Sequence, residues 1–211
     1  MQELRFFNPY ANIRQTKNRL PHWQQEGAVY FVTFRLADAV PKPLLAQWEN
    51  EREAWLRVHP EPWNNEIERE YHQRFSGVIE RWLDVGHGAC LLRRRKCAQV
   101  VMEALNHFEG VRVVMISAMI MPNHVHALFV QNPGWPLEKI VQSWKRFTAG
   151  QVNRVLGRSG RLWQRDYFDR LVRDEKHFAN CVRYIRRNPE KANLSAHEFI
   201  VYENEIARAI C

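Results

Sequence analysis

Met121-Pro122-Asn123-His124-Val125-His126-Ala127-Leu128-Phe129-Val130 sets two histidines two positions apart at the start of an apolar, β-favouring run. Successive side chains of a strand point to opposite faces, so positions i and i+2 share one, and His124 and His126 point the same way. Adjacent imidazoles are poor core material, because each ring carries a polar nitrogen that must be satisfied when buried. They are good metal ligands. On spacing alone, a strand with two surface or hydrogen-bonded histidines accounts for the pattern about equally well.

Working outward, residues 111–121 read as a strand that reaches the histidine strand through the Pro122-Asn123 corner, so the two pair as antiparallel neighbours. Residues 28–37 (Ala-Val-Tyr-Phe-Val-Thr-Phe-Arg-Leu-Ala) are β-branched and aromatic, enough for a first, central strand. Pro41 and Pro43 open a helical stretch to about Val58, the 60–65 segment interrupts it, and 66–83 resumes with helix-favouring charge. Over 96–108, Val100, Val101, Ala104, Leu105 and Phe108 recur at helical spacing, with Gly110 as a stop. Downstream, 136–156 is helical, with Leu137, Ile140, Val141 and Trp144 on one stripe and Lys139, Lys145 and Arg146 beside it. Residues 162–172 supply a last strand, and 175–188 carry Phe178, Cys181, Val182 and Ile185 on one packed helix face. The order matches the ferredoxin-like arrangement. The expected fold is α+β: a ferredoxin-like βαββαβ antiparallel sheet with helices on one face, an enlarged helical insertion after the first strand, and a further, C-terminal helix. The expected division is a basic, aromatic arm over 1–27, one catalytic domain over 28–194 (41–110 being the helical insertion and packing helix), and a tail over 195–211.

The chain has 211 residues and a formal charge of +8, from 31 Lys and Arg against 23 Asp and Glu. That length suits one domain, and that charge points to a polyanion such as nucleic acid. No window approaches the roughly 20 consecutive apolar residues of a spanning helix, and the first ten residues lack the apolar centre of a secretory signal, so the expectation is a cytoplasmic protein with no membrane partner. Cys90, Cys97, Cys181 and Cys211 form no C-x-x-C pair and read as buried or incidental thiols. With no phosphate loop and no G-x-G-x-x-G fingerprint, the chemistry is expected to run without a nucleotide cofactor.

Tyr184 and Asn188 lie four residues apart, on one side of their helix and away from the Phe178/Cys181/Ile185 stripe. Arg183, Arg186 and Arg187 surround the tyrosine in sequence. Such cations would draw in a phosphodiester and lower the cost of a phenolate, whose ordinary pKa is about 10. The plainer reading is a tyrosine at the edge of a basic helix that grips a nucleic-acid backbone. Asn188 precedes Pro189, which disfavours continuation of the helix.

Taken together, His124-Val125-His126 after Met121-Pro122-Asn123, the run 143–148 (Ser-Trp-Lys-Arg-Phe-Thr), the run 162–170 (Leu-Trp-Gln-Arg-Asp-Tyr-Phe-Asp-Arg) and the run 184–192 (Tyr-Ile-Arg-Arg-Asn-Pro-Glu-Lys-Ala) resemble the single-tyrosine HUH transposases of the REP-associated kind. The resemblance covers roughly 28–194. Where the family usually runs Asn-Pro-Val-Lys-Ala-Gly, this chain has Glu190 and Asn193 in place of the valine and the glycine. The resemblance implies a divalent metal held by His124, His126 and, by position, Asn188. A mixed nitrogen and oxygen set suits Mg²⁺ or Mn²⁺, the imidazoles favouring Mn²⁺. It implies Tyr184 as the nucleophile, a 5′-phosphotyrosine and free 3′ hydroxyl as products, and single-stranded DNA beside a short hairpin as substrate.

Lys145, Arg146, Arg183, Arg186 and Arg187 are the expected DNA contacts. Phe6, Phe7 and Tyr10 of the arm would stack on bases or pack on the domain. The densest basic run, Arg93-Arg94-Arg95-Lys96, is of the kind that is usually a solvated helix start. Two rival functions are a non-cleaving binding module for hairpin DNA or structured RNA, and a metal-dependent nuclease that uses water. Monomer and homodimer are both open.

Overall fold

A strand in which every side chain is buried needs cover on both faces, and His124–Gln131 is such a strand. In the computed structural model, which describes residues 4–11, 14–17, 21–60, 63 and 65–211, it is the middle of a five-stranded antiparallel sheet. In chain order the strands are β1 (Arg14–Lys17), β2 (Pro21–Gln24), β3 (Val29–Arg35), β4 (Val113–Ile120), β5 (His124–Gln131), β6 (Phe168–Leu171) and β7 (Ile200–Glu203). The helices are α1 (Lys42–Val58), α2 (Asn65–Tyr71), α3 (Gly77–Asp84), α4 (Arg95–Asn106), α5 (Leu137–Val155), α6 (Glu175–Lys191) and α7 (Glu205–Arg208). The sheet order is β6-β3-β5-β4-β7. Its first four strands, with α4 and α5 as the crossovers, are the ferredoxin-like core.

The period-2 alternation along β3, β4 and β5 divides the core in two. Tyr30, Val32, Phe34, Ala127 and Phe129 face α4 and α5, packing with Val101, Leu105, Ile140 and Trp144. Val29, Phe31, Ile116, Met119, Leu128 and Val130 face the other way, against Phe178, Cys181, Val182 and Ile185 of α6 and Ala207 of α7. The two crossover helices thus share one face, and α6 closes the opposite one. By the same alternation His124 and His126 lie on the α6 face.

The insertion after β3 consists of α1, α2 and α3, with a π-helical turn at His72–Ser76 between the last two. It has an aromatic centre of its own, with Trp55, Tyr71 and Phe75 buried and Trp48 and Trp63 packed against them.

Several features depart from the sequence expectation. Within the arm, β1 and β2 pair as an antiparallel hairpin. Only Phe168–Leu171 of the expected last strand is ladder, while Trp163 makes an isolated bridge to Leu36. Helix α6 does not stop before Pro189 but runs through it to Lys191, although proline has no amide to donate to the carbonyl four residues back. Asn193, in the place of the family's glycine, takes the left-handed conformation at φ 51°, which asparagine tolerates better than most side chains.

The residues after 194 contribute a sheet edge. β7 pairs with β4 and is clamped to α6 by Arg186, whose Nε donates to Glu203 Oε1 at 2.7 Å and whose Nη2 donates to the Ala207 carbonyl at 2.6 Å. A further donation goes to the Ile210 carbonyl. Arg186→Met leaves those half-buried acceptors without a donor, and urea unfolding is expected to show a loss of about 2–3 kcal/mol.

Candidate active site

The β3–β5 register places Thr33 opposite His126 and Arg35 opposite His124. These four side chains share the α6 face by alternation. Both histidines are about 1% exposed. Their Nε2 atoms approach each other to 3.0 Å, while each Nδ1 has its own partner: Asn123 Oδ1 at 2.7 Å from His124, and Thr33 Oγ1 at 2.8 Å from His126.

The tautomer of His124 follows from its neighbour. Asn123 donates its amide Nδ2 to the Leu83 carbonyl at 3.1 Å, so its Oδ1 is the atom turned to the ring. Oδ1 only accepts, so His124 carries its proton on Nδ1 and has a lone pair on Nε2. Hydrogen-bonded outer partners of this kind orient histidines that ligate metals.

Across from this pair stands α6. The Tyr184 ring lies edge-on to His126, with centroids 5.3 Å apart, and edge-on to Phe31 at 5.7 Å. One turn on, Asn188 is 1% exposed, donates Nδ2 to the Tyr184 carbonyl at 3.1 Å, and lies within hydrogen-bonding reach of the His126 ring and the Tyr184 hydroxyl. Among the described residues no group of three His, Cys, Asp or Glu is placed to hold a metal ion. A metal set here would comprise His124, His126 and the Asn188 amide oxygen, and two neutral imidazoles plus one oxygen fit a divalent cation.

Glu80 of α3, which the sequence reading did not single out, lies within hydrogen-bonding reach of Tyr184. No local signal marks it among the carboxylates of that charged helix. Burial raises the Glu80 carboxyl above its ordinary value, against the pull of Arg170, the Tyr184 hydrogen bond and Lys191. Burial also raises the Tyr184 phenol well above its ordinary value, reinforced by the charge of Glu80. The Lys191 ammonium sits 4.9 Å from the centre of the tyrosine ring. At rest Tyr184 is therefore a neutral phenol, with a carboxylate at its hydroxyl and a cation at its face.

The expected DNA contacts lie elsewhere. Arg183 donates to the Cys211 carbonyl and to Asn180, and Arg186 to the C-terminal segment, since residues one or two away from Tyr184 do not share its helix face. Arg187 is exposed. Lys145 and Arg146 line a broad cleft of about 960 Å³ between α5 and the 160–167 loop, together with Arg161 and Arg165. Lys145 holds that loop by donating to the Arg165 and Asp166 carbonyls, and burial lowers its ammonium to about 8. Phe6 packs against Phe178 and Phe7 against Trp23, whereas Tyr10 is exposed. Arg93 pairs with Glu198 at 3.0 Å.

Residues 93–188 match the model of the family described as transposase IS200 like. The match covers just under half of the chain. It contains both histidines, Tyr184 and Asn188, whereas Thr33, Arg35 and Glu80 lie outside it. Among solved structures, a REP-associated tyrosine transposase bound to a REP hairpin is similar at a TM-score of 0.44 and 14% identity, over 81% of this chain and 72% of that one. No curated protein sequence matches the chain. Among the described residues, no helix is long and apolar enough to cross a membrane.

Burial lowers the His124 ring to about 3, aided by the charge of Arg35, and holds His126 well below the ordinary 6.5, aided by His124. The unfolded chain takes up protons at these rings below about pH 6.5 and the folded chain does not, so their contribution to stability is full above that value and declines as the pH falls through it. The thermal midpoint is expected to drop as the pH is lowered below about 6.5, and less steeply in His126→Gln. An equal slope in that variant would contradict the assignment.

Proposed function

We propose that the chain is a metal-dependent single-stranded DNA transesterase of the REP-associated tyrosine transposase type, which cleaves and rejoins DNA beside hairpin or palindromic elements through a 5′-phosphotyrosine intermediate. The observation that carries this reading is the meeting of Tyr184 with His126 and Asn188 in one chain, at 5.3 Å between rings. A tyrosine needed only to grip a backbone has no reason to sit half-buried against a neutral histidine pair. The basic cleft beside α5 is suited to the phosphates of a hairpin stem.

A divalent ion bound by His124, His126 and Asn188 would polarise a non-bridging phosphate oxygen and orient the diester. The protein's own groups carry the remaining steps. Tyr184 Oη attacks phosphorus, the P–O3′ bond breaks, and the phenol proton passes to Glu80 while the departing 3′ oxygen takes one from solvent. The net proton count is unchanged and the phosphoester is retained, now on tyrosine. A second 3′ hydroxyl reverses the step, and no energy cofactor is required.

Two variants separate this reading from its rivals. With end-labelled hairpin DNA and Mn²⁺, the wild type is expected to give a denaturation-resistant protein–DNA band that EDTA abolishes and Tyr184→Phe lacks, although Tyr184→Phe still binds the hairpin. A water-using nuclease predicts a free 5′ phosphate and no band, and a band of wild-type intensity from Tyr184→Phe would overturn the mechanism. Glu80→Gln is expected to slow adduct formation by roughly 10²–10⁴-fold with hairpin affinity retained, the usual range for loss of a positioned base.

A further inference from the structure

One cation at the active site has no part in the chemistry above. Because α6 continues through Pro189, with the Asn188 carbonyl accepting from the Ala192 amide at 3.1 Å, its last turn carries Lys191 onto the face of Tyr184 and Asn188. The three stand at i, i+4 and i+7, the spacing of a single helix stripe. Lys191 is an exposed residue, yet its ammonium lies over the half-buried tyrosine, 4.9 Å from the ring centre. The dipole of α6 favours a cation in its last turn, but that alone would leave the ammonium in solvent rather than over a ring.

Two carboxylates of α3 account for its place. Glu80 and Asp84 lie one helical turn apart, and the charge of Lys191 pulls both carboxyls down against the burial that raises them. Asp84 is the last residue of α3, the end at which a helix dipole disfavours a negative charge, so its partner is across the gap and not in its own helix. Lys191 therefore stands between α3 and α6, and its charge is felt as far as His126. In the transfer step this balance changes. Glu80 loses its charge on accepting the phenol proton, while an anionic phosphodiester becomes attached to the ring that Lys191 covers.

Resting on the transesterase reading, we propose that Lys191 is a catalytic residue whose ammonium passes from the α3 carboxylates to a non-bridging oxygen of the scissile phosphate as the bond to Tyr184 forms. It stays protonated throughout, so the proton count of the step is unchanged and one anionic partner is exchanged for another. Asp84 is a positioning residue that keeps the ammonium at the site beforehand. The exchange runs in both directions. When a 3′ hydroxyl attacks the phosphotyrosine, the departing phenolate takes its proton from Glu80, and the restored carboxylate draws Lys191 back.

The test follows adduct formation by the full chain in single turnovers, with end-labelled hairpin DNA, Mn²⁺ and saturating protein. Lys191→Met is expected to form the adduct roughly 10²–10³-fold more slowly, the range for loss of one donor to a developing charge, with little change in hairpin affinity. As the residue is exposed, the variant is expected to keep the wild-type thermal midpoint. A wild-type rate at saturation, with only the affinity reduced, would overturn the proposal and leave Lys191 an ordinary backbone contact. No adduct from the wild type would overturn the transesterase reading itself. A second measurement asks whether the ammonium touches the phosphate: sulfur replaces each non-bridging oxygen in turn at the linkage that the wild-type adduct identifies. The wild type is expected to react more slowly with both diastereomers, and Lys191→Met to lose that penalty for one of them alone. Unchanged penalties for both in Lys191→Met would overturn the contact.

Discussion

Two imidazoles buried on the central strand of a sheet must be neutral and must find partners, and much of the site's architecture follows from that requirement. The outer nitrogens are satisfied locally, by Asn123 at the corner before β5 and by Thr33 across the ladder. The inner nitrogens approach each other to 3.0 Å, with Asn188 within reach of the His126 ring. With a lone pair fixed on His124 Nε2, the pair is held either by a proton on His126 Nε2 or by a cation between them. The former needs the Thr33 hydroxyl to donate, and the latter needs it to accept. A rotatable hydroxyl serves both at no cost in backbone geometry.

The same burial explains why α6 lies where it does. Its apolar stripe seals the sheet through Phe178, Val182 and Ile185, and the 3.6-residue period then brings Tyr184 and Asn188 to the edge of that seal, over the histidines. The helix is fixed from the far side as well, because Arg186 ties it to β7 and α7. That tie is a substantial commitment of charge in a basic helix. It commits Arg186 to the C-terminal segment and makes β7 part of the support beneath Tyr184.

What was legible in the sequence was whatever has a local period. The shared face of His124 and His126 follows from the period of a strand, the Tyr184/Asn188 pairing from that of a helix, and the ferredoxin-like order from the succession of the two. What was illegible depends on contacts distant in the chain. Arg186 finds Glu203, and Glu80 finds Tyr184 across more than a hundred residues, yet in its own helix Glu80 looks like any solvated carboxylate. The Ile200–Glu203 edge strand is too short to show an alternation, and the β1–β2 hairpin lies in a stretch without a period. Pro189 points in the other direction: proline disfavours a helix locally, yet α6 continues through it because packing of its apolar face and the Arg186 tie hold the helix from outside.

The division between the matched segment and the rest of the chain has a chemical meaning on the proposed reading. Residues 93–188 carry the histidines, the asparagine and the tyrosine, but in isolation they would leave the phenol without its carboxylate and His126 without its hydroxyl partner. Both come from the first strand and the insertion that follows it. Burial holds Tyr184 protonated and the charge of Glu80 holds it more firmly, so the resting phenol is a poor nucleophile. Reactivity then has to arrive with positive charge at the phosphate and with a strand lying between the insertion and the sheet. On that reading, an enzyme whose product is a covalent bond to its own side chain gains from the arrangement, because the tyrosine stays inert until the DNA is in place.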